Sequence, residues 1–426
     1  MRMFIVNLFL LSLFFEGNAY SFYLFGARIR ISQLITVLGI LYFALGLFVG
    51  KGKMKIKKTP IDVLVLMYIG INFLAVSQAV FMARSFKITL LILSLYLIYF
   101  LLVNFITTKQ RFDKAFRMLL WVGMIEISYG IYQVIAGVIN VVFNLHLPIG
   151  YMGMVHADYI GAIWGRPYGT FVEPVWYGAV CMFYLLVFIT LYYSKIIFNR
   201  KFYFWGMLLS LFGLFVSFVR AAWLGFFAGL IVLLYLKYKS RILRFNYYIL
   251  IRNAAILISL VLLVCLCIEP IRTVLINRIV PGDTTSRFDL NNIRLVAMKT
   301  SIKAFLRNPI IGNGPGSSAV SGIIESGQIF DPAKVEQGAY NGNIVLTVLE
   351  DTGIIGVFVF ILLILKIVSI NLKRIPRIED SISVIAIATF SGLCGLFVSY
   401  MFSHGFWIPF TWVFLAFNMI ALRIGL

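Results

Sequence analysis

Two arginines in this chain stand where an unpaired guanidinium is costly. Arg220 lies in SFVRAAWLG, between apolar runs with almost no loop around it, and Arg294 opens the stretch RLVAMKTSIKAFLRNPIIGNGPGS. An arginine in such a place either snorkels to headgroups or serves function. Its planar fork of N–H donors grips phosphate or carboxylate bidentately. Carboxylates form a second group: Glu173 in RPYGTFVEPVWYG, and Asp331 and Glu336 further on, each able to take a proton from a hydroxyl. His146, His156 and His404 are too scattered for metal-ligand spacing, and no neighbouring aspartates form a divalent-cation clamp. The chemistry expected is stabilisation of negative charge by arginine, with no metal and no cofactor.

The residues around Arg294 read as a helix. From Arg294 to Phe305, Leu295, Met298, Ile302 and Phe305 share one stripe, and Lys299, Lys303 and Arg307 form a basic row beside it. Arg294 falls on the other flank of the stripe, about 140° from Lys299 at 100° per residue. The lysine row is expected to rest on anionic headgroups, whereas Arg294, beside the buried face, needs an anionic partner. Pro309 and the run Gly312-Asn313-Gly314-Pro315-Gly316 then end the helix. A dinucleotide fingerprint opens a helix rather than closing one, so two readings remain: a C-cap with a tight turn, or backbone amides approaching a phosphate. Glu173 stands before Pro174, a residue suited to a first helical turn, and so either caps the dipole of that helix or acts as a base.

These residues must be held by a membrane scaffold. The 426 residues are 62% hydrophobic and 12% charged, more apolar than one soluble core can hide. Apolar runs near 3–20, 31–50, 60–82, 86–106, 116–138, 175–193, 202–219, 221–237, 254–270, 343–370, 381–401 and 405–424 predict an all-α, polytopic membrane protein of about twelve transmembrane helices, one integral domain over 1–426. The first run ends in Gly17-Asn18-Ala19, similar to a signal-peptidase site, and is expected to be a retained span. The net charge of +21 does not point to nucleic acid, because the cations sit in short loops after even-numbered spans: Lys51–Lys58, Lys109–Arg117, Lys195–Lys201, Lys237–Arg244 and Lys373–Arg377. That bias predicts both termini in the cytoplasm. The longer loops, 139–174 and 271–342 (between spans nine and ten), then face outward, the second with amphipathic helices. Cys181, Cys265, Cys267 and Cys394 lie in apolar runs and read as core residues.

Four segments resemble the O-antigen ligase and polymerase superfamily of bacterial membrane glycosyltransferases. RPYGTFVEP is similar to its Arg…Gly-Thr-Phe…Pro segment, and SFVRAAWLG to its Ser-Arg turn between helices. RLVAMKTSIKAFLRNPIIGNGPG is similar to its pattern of an Arg, a helix, then Pro-(Leu/Ile)-(Leu/Ile)-Gly-x-Gly-x-Gly, and GNIVLTVLEDTGIIG to its entry to the following span. The resemblance implies a metal-independent transferase in the bacterial inner membrane, with its active site outside the cytoplasm. Its donor would be an undecaprenyl-pyrophosphate-linked oligosaccharide and its acceptor a glycan or lipid. A chain-length regulator protein is an expected partner. Arg220 and Arg294 would hold the pyrophosphate, with Glu173 as the third catalytic group and Asp331 and Glu336 as further candidate bases. Arg166, Arg287, Asn343, Gly312 and Gly314 would bind substrate. Asp351 takes the family's acidic position.

Gly342 stands where the family's usual histidine would, and Met298 where an aromatic is frequent. In the ligase branch the histidine handles the acceptor hydroxyl, so its absence favours a polymerase over a ligase acting on a lipid A-core acceptor. Glu173-Pro174 is also more polymerase-like. A transporter or flippase of lipid-linked glycans is the alternative from another class. It would want mid-membrane polar residues, for which Glu126 and Gln133 are the candidates.

Overall fold

The computed structural model describes the chain outside residues 14–20, 25–26, 49–55, 149–165, 172, 195–198, 241–284, 326–341, 378–379, 404, 407 and 426. Helices dominate: α1 (Arg2–Ser12), α2 (Ile31–Phe48), α3 (Asp62–Val76), α4 (Met82–Phe105), α5 (Lys109–Phe143), α6 (Pro174–Tyr192), α7 (Arg200–Ser217) and α8 (Arg220–Ser240). They continue with α9 (Thr285–Arg307), α10 (Ser318–Glu325), α11 (Ile344–Arg374), α12 (Asp380–Tyr400) and α13 (Pro409–Ile424). A small departure from the all-helical expectation lies between α1 and α2, where β1 (Ser21–Leu24) pairs antiparallel with β2 (Ala27–Arg30).

Among the described residues seven helices are long and apolar enough to cross a membrane: α2, α4, α5, α6, α8, α11 and α12. Three more, α1, α3 and α13, are apolar but shorter, with 11, 15 and 16 residues. Fifteen residues of helix rise only about 23 Å, less than the roughly 30 Å of a hydrocarbon core. The 18 residues of α7 begin with Arg200-Lys201, which lowers their apolar content. The expected span at 254–270 lies outside the described residues. Elsewhere the apolar runs coincide with helices, because twenty residues without a Pro or charge interruption can satisfy their backbone in hydrocarbon only by coiling.

Consecutive helices alternate in direction, and their ends sort into two groups. At one end Ser85 Oγ, near the start of α4, donates to Pro315 O at 2.8 Å, and Asn343 Nδ2, before α11, donates to Met401 O, beyond α12, at 2.9 Å. There Phe171, ahead of α6, packs edge-on against Phe410 of α13, centroids 5.2 Å apart. At the other end Arg423 of α13 donates to Val103 O and Ile106 O at the close of α4. Lys109, Arg111, Arg200, Lys201, Lys373 and Arg374 all belong to that second end. The centre is built on α6 and α13, nearly buried along their length, with Phe183 stacked on Phe414 at 3.5 Å. α8 crosses α12 so closely that a Cβ on Gly225 would lie 2.5 Å from Gly395 O, and one on Gly395 would lie 2.6 Å from Gly225 O. Small residues at such a crossing let helices pack where lipid offers no hydrophobic drive.

The alternation gives a direct test of sidedness. Gln78 and Gln110 are exposed at opposite ends of the bundle. A membrane-impermeant maleimide is expected to label Gln78→Cys in intact cells and to leave Gln110→Cys unlabelled, with the unsubstituted chain as background. The reverse pattern would invert the orientation.

Candidate functional site

The glycine run does not hang free; it closes a break in a helix. Within α11, Gly353 takes φ 64° and ψ −165°, so the helical hydrogen-bond ladder is interrupted. The turn after α9 supplies the missing partners. Asn313 N and Gly314 N donate to Glu350 O and Asp351 O at 2.9 and 3.0 Å, while Ile354 N and Ile355 N donate to Pro309 O and Ile310 O at 2.9 and 3.4 Å. The approach requires glycine on both sides: a Cβ on Gly312 (φ +85°) would meet the Asp351 and Thr352 backbone at 2.5 Å, and one on Gly353 would meet Ile310 O at 2.4 Å. Asn313 fixes the turn from behind, its Nδ2 donating to Ala304 O at 2.8 Å and its Oδ1 accepting from Asn308 Nδ2 at 2.9 Å. Gly312 N donates to Asn308 O. The amides of Gly312 and Gly314, the two glycines expected to touch substrate, are therefore both engaged within the chain.

Two buried acids stand under this turn. Asp351 Oδ1 accepts from Ser317 N at 3.2 Å and Ser317 Oγ at 2.9 Å, and Glu350 Oε1 accepts from Ser321 Oγ at 2.6 Å. Asp351 Oδ2 is buried without a hydrogen-bond partner. Asn343 caps α11, its Oδ1 accepting from Val345 N and Leu346 N at 2.9 and 3.0 Å. The side chain expected to bind substrate thus has a local task at a helix start.

The segment Arg166–Phe171 is clamped to α5 in the same manner. Glu126 Oε1 and Oε2 accept from Thr170 N and Oγ1 at 2.7 and 2.8 Å. Gln133 Oε1 accepts from Tyr168 N and Gly169 N at 3.1 and 2.8 Å, and its Nε2 donates to Gly169 O at 3.1 Å. So fixed, the segment sends Arg166 Nε to Ser217 O at 3.2 Å, at the turn between α7 and α8. That turn runs through Phe218, left-handed at φ 52°, to Arg220, the exposed first residue of α8. The first turn of α8 holds no acid. A guanidinium added to the partial positive charge of a helix N-terminus makes an anion-binding spot.

Glu173 is the N-cap residue of α6 yet makes no side-chain capping bond, so the capping alternative is not what the side chain does. It is exposed by area, but the protein beside its carboxyl withdraws water and pushes its pKa above the usual carboxylate range. Tyr168 links the cluster: burial raises its hydroxyl, Arg166 opposes that rise and Glu173 adds to it. Tyr168 thus stands near both Arg166 and Glu173, and Arg220 opens α8 three residues after the Ser217 carbonyl that Arg166 reaches. Arg287 and Arg294 belong to α9, but their side chains lie outside the described residues, as do Asp331 and Glu336 altogether. Among the described residues no group of three His, Cys, Asp or Glu side chains could hold a metal.

The apolar stripe of α9 needs correction. Leu295 and Ile302, expected to be covered, are 55% and 46% exposed, whereas Ser301 and Ala304 are 3% and 1% exposed. Small residues face the glycine turn because a close approach is needed there, and Asn313 could not reach Ala304 O past larger side chains. Position 294 lies two turns before Ser301, on the helix face that Ser301 and Ala304 continue. Glu126 and Gln133 are the positioning residues whose role sequence reading missed; their only signal was two polar residues seven apart on a lipid-length helix.

Residues 205–361 match the family model described as O-Antigen ligase. No curated protein matches the chain. The matched stretch contains Arg220, Arg294, the glycine turn, Asn343 and the break at Gly353.

The stitch between the turn and α11 predicts unequal costs at two left-handed glycines. Gly342 has φ +71°, but a Cβ there would meet nothing within 4 Å. Gly342→Ala is expected to cost about 1–2 kcal/mol for backbone conformation alone. Gly312→Ala adds a collision with rigid backbone and is expected to lower the unfolding midpoint of the detergent-purified protein several times further. Equal shifts in the two variants would disprove the stitch.

Proposed function

From a chain whose residues 205–361 carry the O-Antigen ligase family domain, we propose a membrane glycosyltransferase that joins undecaprenyl-pyrophosphate-linked oligosaccharides into a surface polysaccharide. The observation that carries the reading is the docking of Arg166 on Ser217 O. It ties the loop ahead of α6, at whose end Glu173 stands, to the turn that leads into Arg220. Two cations and a carboxylate that makes no capping bond then share one end of the bundle.

The reaction needs little more than these groups. The acceptor hydroxyl attacks the anomeric carbon, the bond to the pyrophosphate oxygen breaks, and negative charge grows on the departing lipid pyrophosphate. Arg220 and Arg294 stabilise that charge by bidentate, charge-assisted hydrogen bonds. Arg166 adds positive potential and anchors the loop. Glu173 takes the hydroxyl proton, a role favoured by the raised pKa of a carboxylate shielded from water. The lipid tail lies between helices, in the bilayer. Polymerisation is favoured over ligation because Gly342 offers no imidazole. A transporter is less favoured, since Glu126 and Gln133 are engaged in holding the Arg166–Phe171 segment.

Arginine chemistry separates this reading from simple headgroup contact. Lysine reaches headgroups as well as arginine but lacks the planar fork. Arg220→Lys and Arg294→Lys are each expected to insert normally and lower polymer formation by roughly 100- to 1000-fold. Lys299→Gln, on the exposed face of α9, is expected to be mild. Polymer is compared on gels at matched expression, and near-normal product from both arginine variants would refute the site. A second measurement is the pH profile of the purified enzyme. A base must be ionised, so activity is expected to fall on acidification through a pKa above that of an ordinary carboxylate, and Glu173→Gln is expected to remove that limb with most of the rate. Turnover is expected to survive EDTA; loss reversed by a divalent ion would rule out a purely arginine-based mechanism.

A further inference from the structure

α9 is not among the helices apolar enough to span a membrane, yet much of its uncovered face is hydrocarbon. Leu295, Ile302 and Leu306 are all exposed, Leu306 by 66%, and at 100° per residue they fall within about 40° of one another. Lys299 and Lys303 are exposed on one flank of this stripe, about 20° and 60° beyond Leu306. The helix carries no acid from Asn291 to Arg307. The other flank turns through the half-buried Met298 and Phe305 to Ser301 and Ala304, which pack against protein. Three sectors therefore follow in order around α9: protein, hydrocarbon and cation. A bilayer surface fits the last two, because apolar side chains enter the acyl boundary while lysines reach the phosphates.

The turn that ends α9 supplies the depth. Pro309 O and Ile310 O accept from Ile354 N and Ile355 N of α11 at 2.9 and 3.4 Å, and Ile310 is itself exposed. Ile354, Phe358, Ile361 and Leu365, also exposed, continue the apolar surface along α11. From Ile354 to Lys373 and Arg374, in the last turn of α11, the helix rises about 30 Å, one hydrocarbon thickness. Lys366, about two turns inside, reaches the same headgroup layer as Lys373 by its long stem. With those cations at one layer, Ile354 and the turn bonded to it stand at the other. We propose that α9 is a membrane-surface helix, with Leu295, Ile302 and Leu306 among the acyl chains and Lys299 and Lys303 among lipid phosphates. Continuity with the lipid face of α11 favours the bilayer over a second copy of the chain as what covers the stripe. Position 294 then falls between the stripe and the Ser301–Ala304 face, where lipid meets protein. For the proposed transferase, on which this one consequence rests, a lipid-linked donor would reach that corner sideways from the bilayer.

The test measures depth rather than turnover, so its failure leaves the proposed reaction standing. The whole protein is reconstituted in liposomes of phosphatidylcholine and phosphatidylglycerol. Nitroxide labels are placed on Ile302→Cys, Leu306→Cys and Lys303→Cys, with Phe358→Cys as the lipid-facing reference and the unsubstituted chain as background. All four side chains are exposed, so the substitutions spare the core, and the unfolding midpoint checks that each variant folds. Oxygen concentrates in hydrocarbon and a nickel chelate in water, so the ratio of their relaxation effects reports depth. Oxygen is expected to dominate at 302 and 306, as at 358, and the nickel chelate at 303, with the ratio at 306 several-fold above that at 303. Nickel dominance at either 302 or 306 overturns the proposal, and so does oxygen dominance at 303. Shielding of 302 and 306 from both relaxants overturns it too, and spin–spin coupling between labelled copies would then mark a second copy as the occupant.

Discussion

A helix broken inside an apolar bundle must find partners for every backbone group it frees. α11 breaks at Gly353, and the turn at residues 309–314 returns four hydrogen bonds to the gap. Without them, amides and carbonyls would face an environment that cannot satisfy them, at several kcal/mol each. The rest of this end of the bundle follows from the closure. α9 must end at Arg307 for the turn to begin, its buried face must be small for the turn to reach α11, and Pro315 must present its carbonyl to Ser85. The glycines resemble a phosphate-binding run because both uses need backbone without side chains. Here the backbone they approach is their own.

The same principle governs the loop ahead of α6. Glu126 and Gln133 would be expensive anywhere in an apolar bundle, and each is offset by hydrogen bonds to loop backbone. This turns a cost into position. The carboxylate and amide of α5 fix Tyr168, Gly169 and Thr170, and that fixes where Arg166 and Glu173 stand relative to the α7–α8 turn. A loop held only by apolar contacts could slide; one held by five hydrogen bonds to two side chains has a register.

What the sequence made legible follows from the range of each interaction. Helices were readable because hydropathy and backbone satisfaction act over twenty contiguous residues, and Pro174 marked the first turn of α6 from its own chemistry. The α9 stripe was misread because periodicity reports which residues share a face, not whether that face meets protein or lipid, and in a membrane both are apolar. Glu126 was legible as costly but not as a clamp, since its partner Thr170 is 44 residues away. Arg166 and Ser217 are separated by 51 residues, and no local pattern joins them.

Gly342 shows how backbone geometry constrains the proposed chemistry. A Cβ there would meet nothing within 4 Å, so crowding does not account for glycine at this position. The backbone does: position 342 is left-handed at φ +71°, immediately before the Asn343 cap that starts α11, and glycine adopts that geometry without strain. With no imidazole at position 342, the proposed reaction needs another acceptor for the hydroxyl proton. Glu173 lies at the start of a different span, two residues after the clamped Arg166–Phe171 segment and with no side-chain bond to its own helix. Moving the base from the α11 cap to the α6 cap would place the acceptor on the side of the arginines nearest the Arg166–Phe171 segment. In the proposed reaction that segment would then set which acceptor is used.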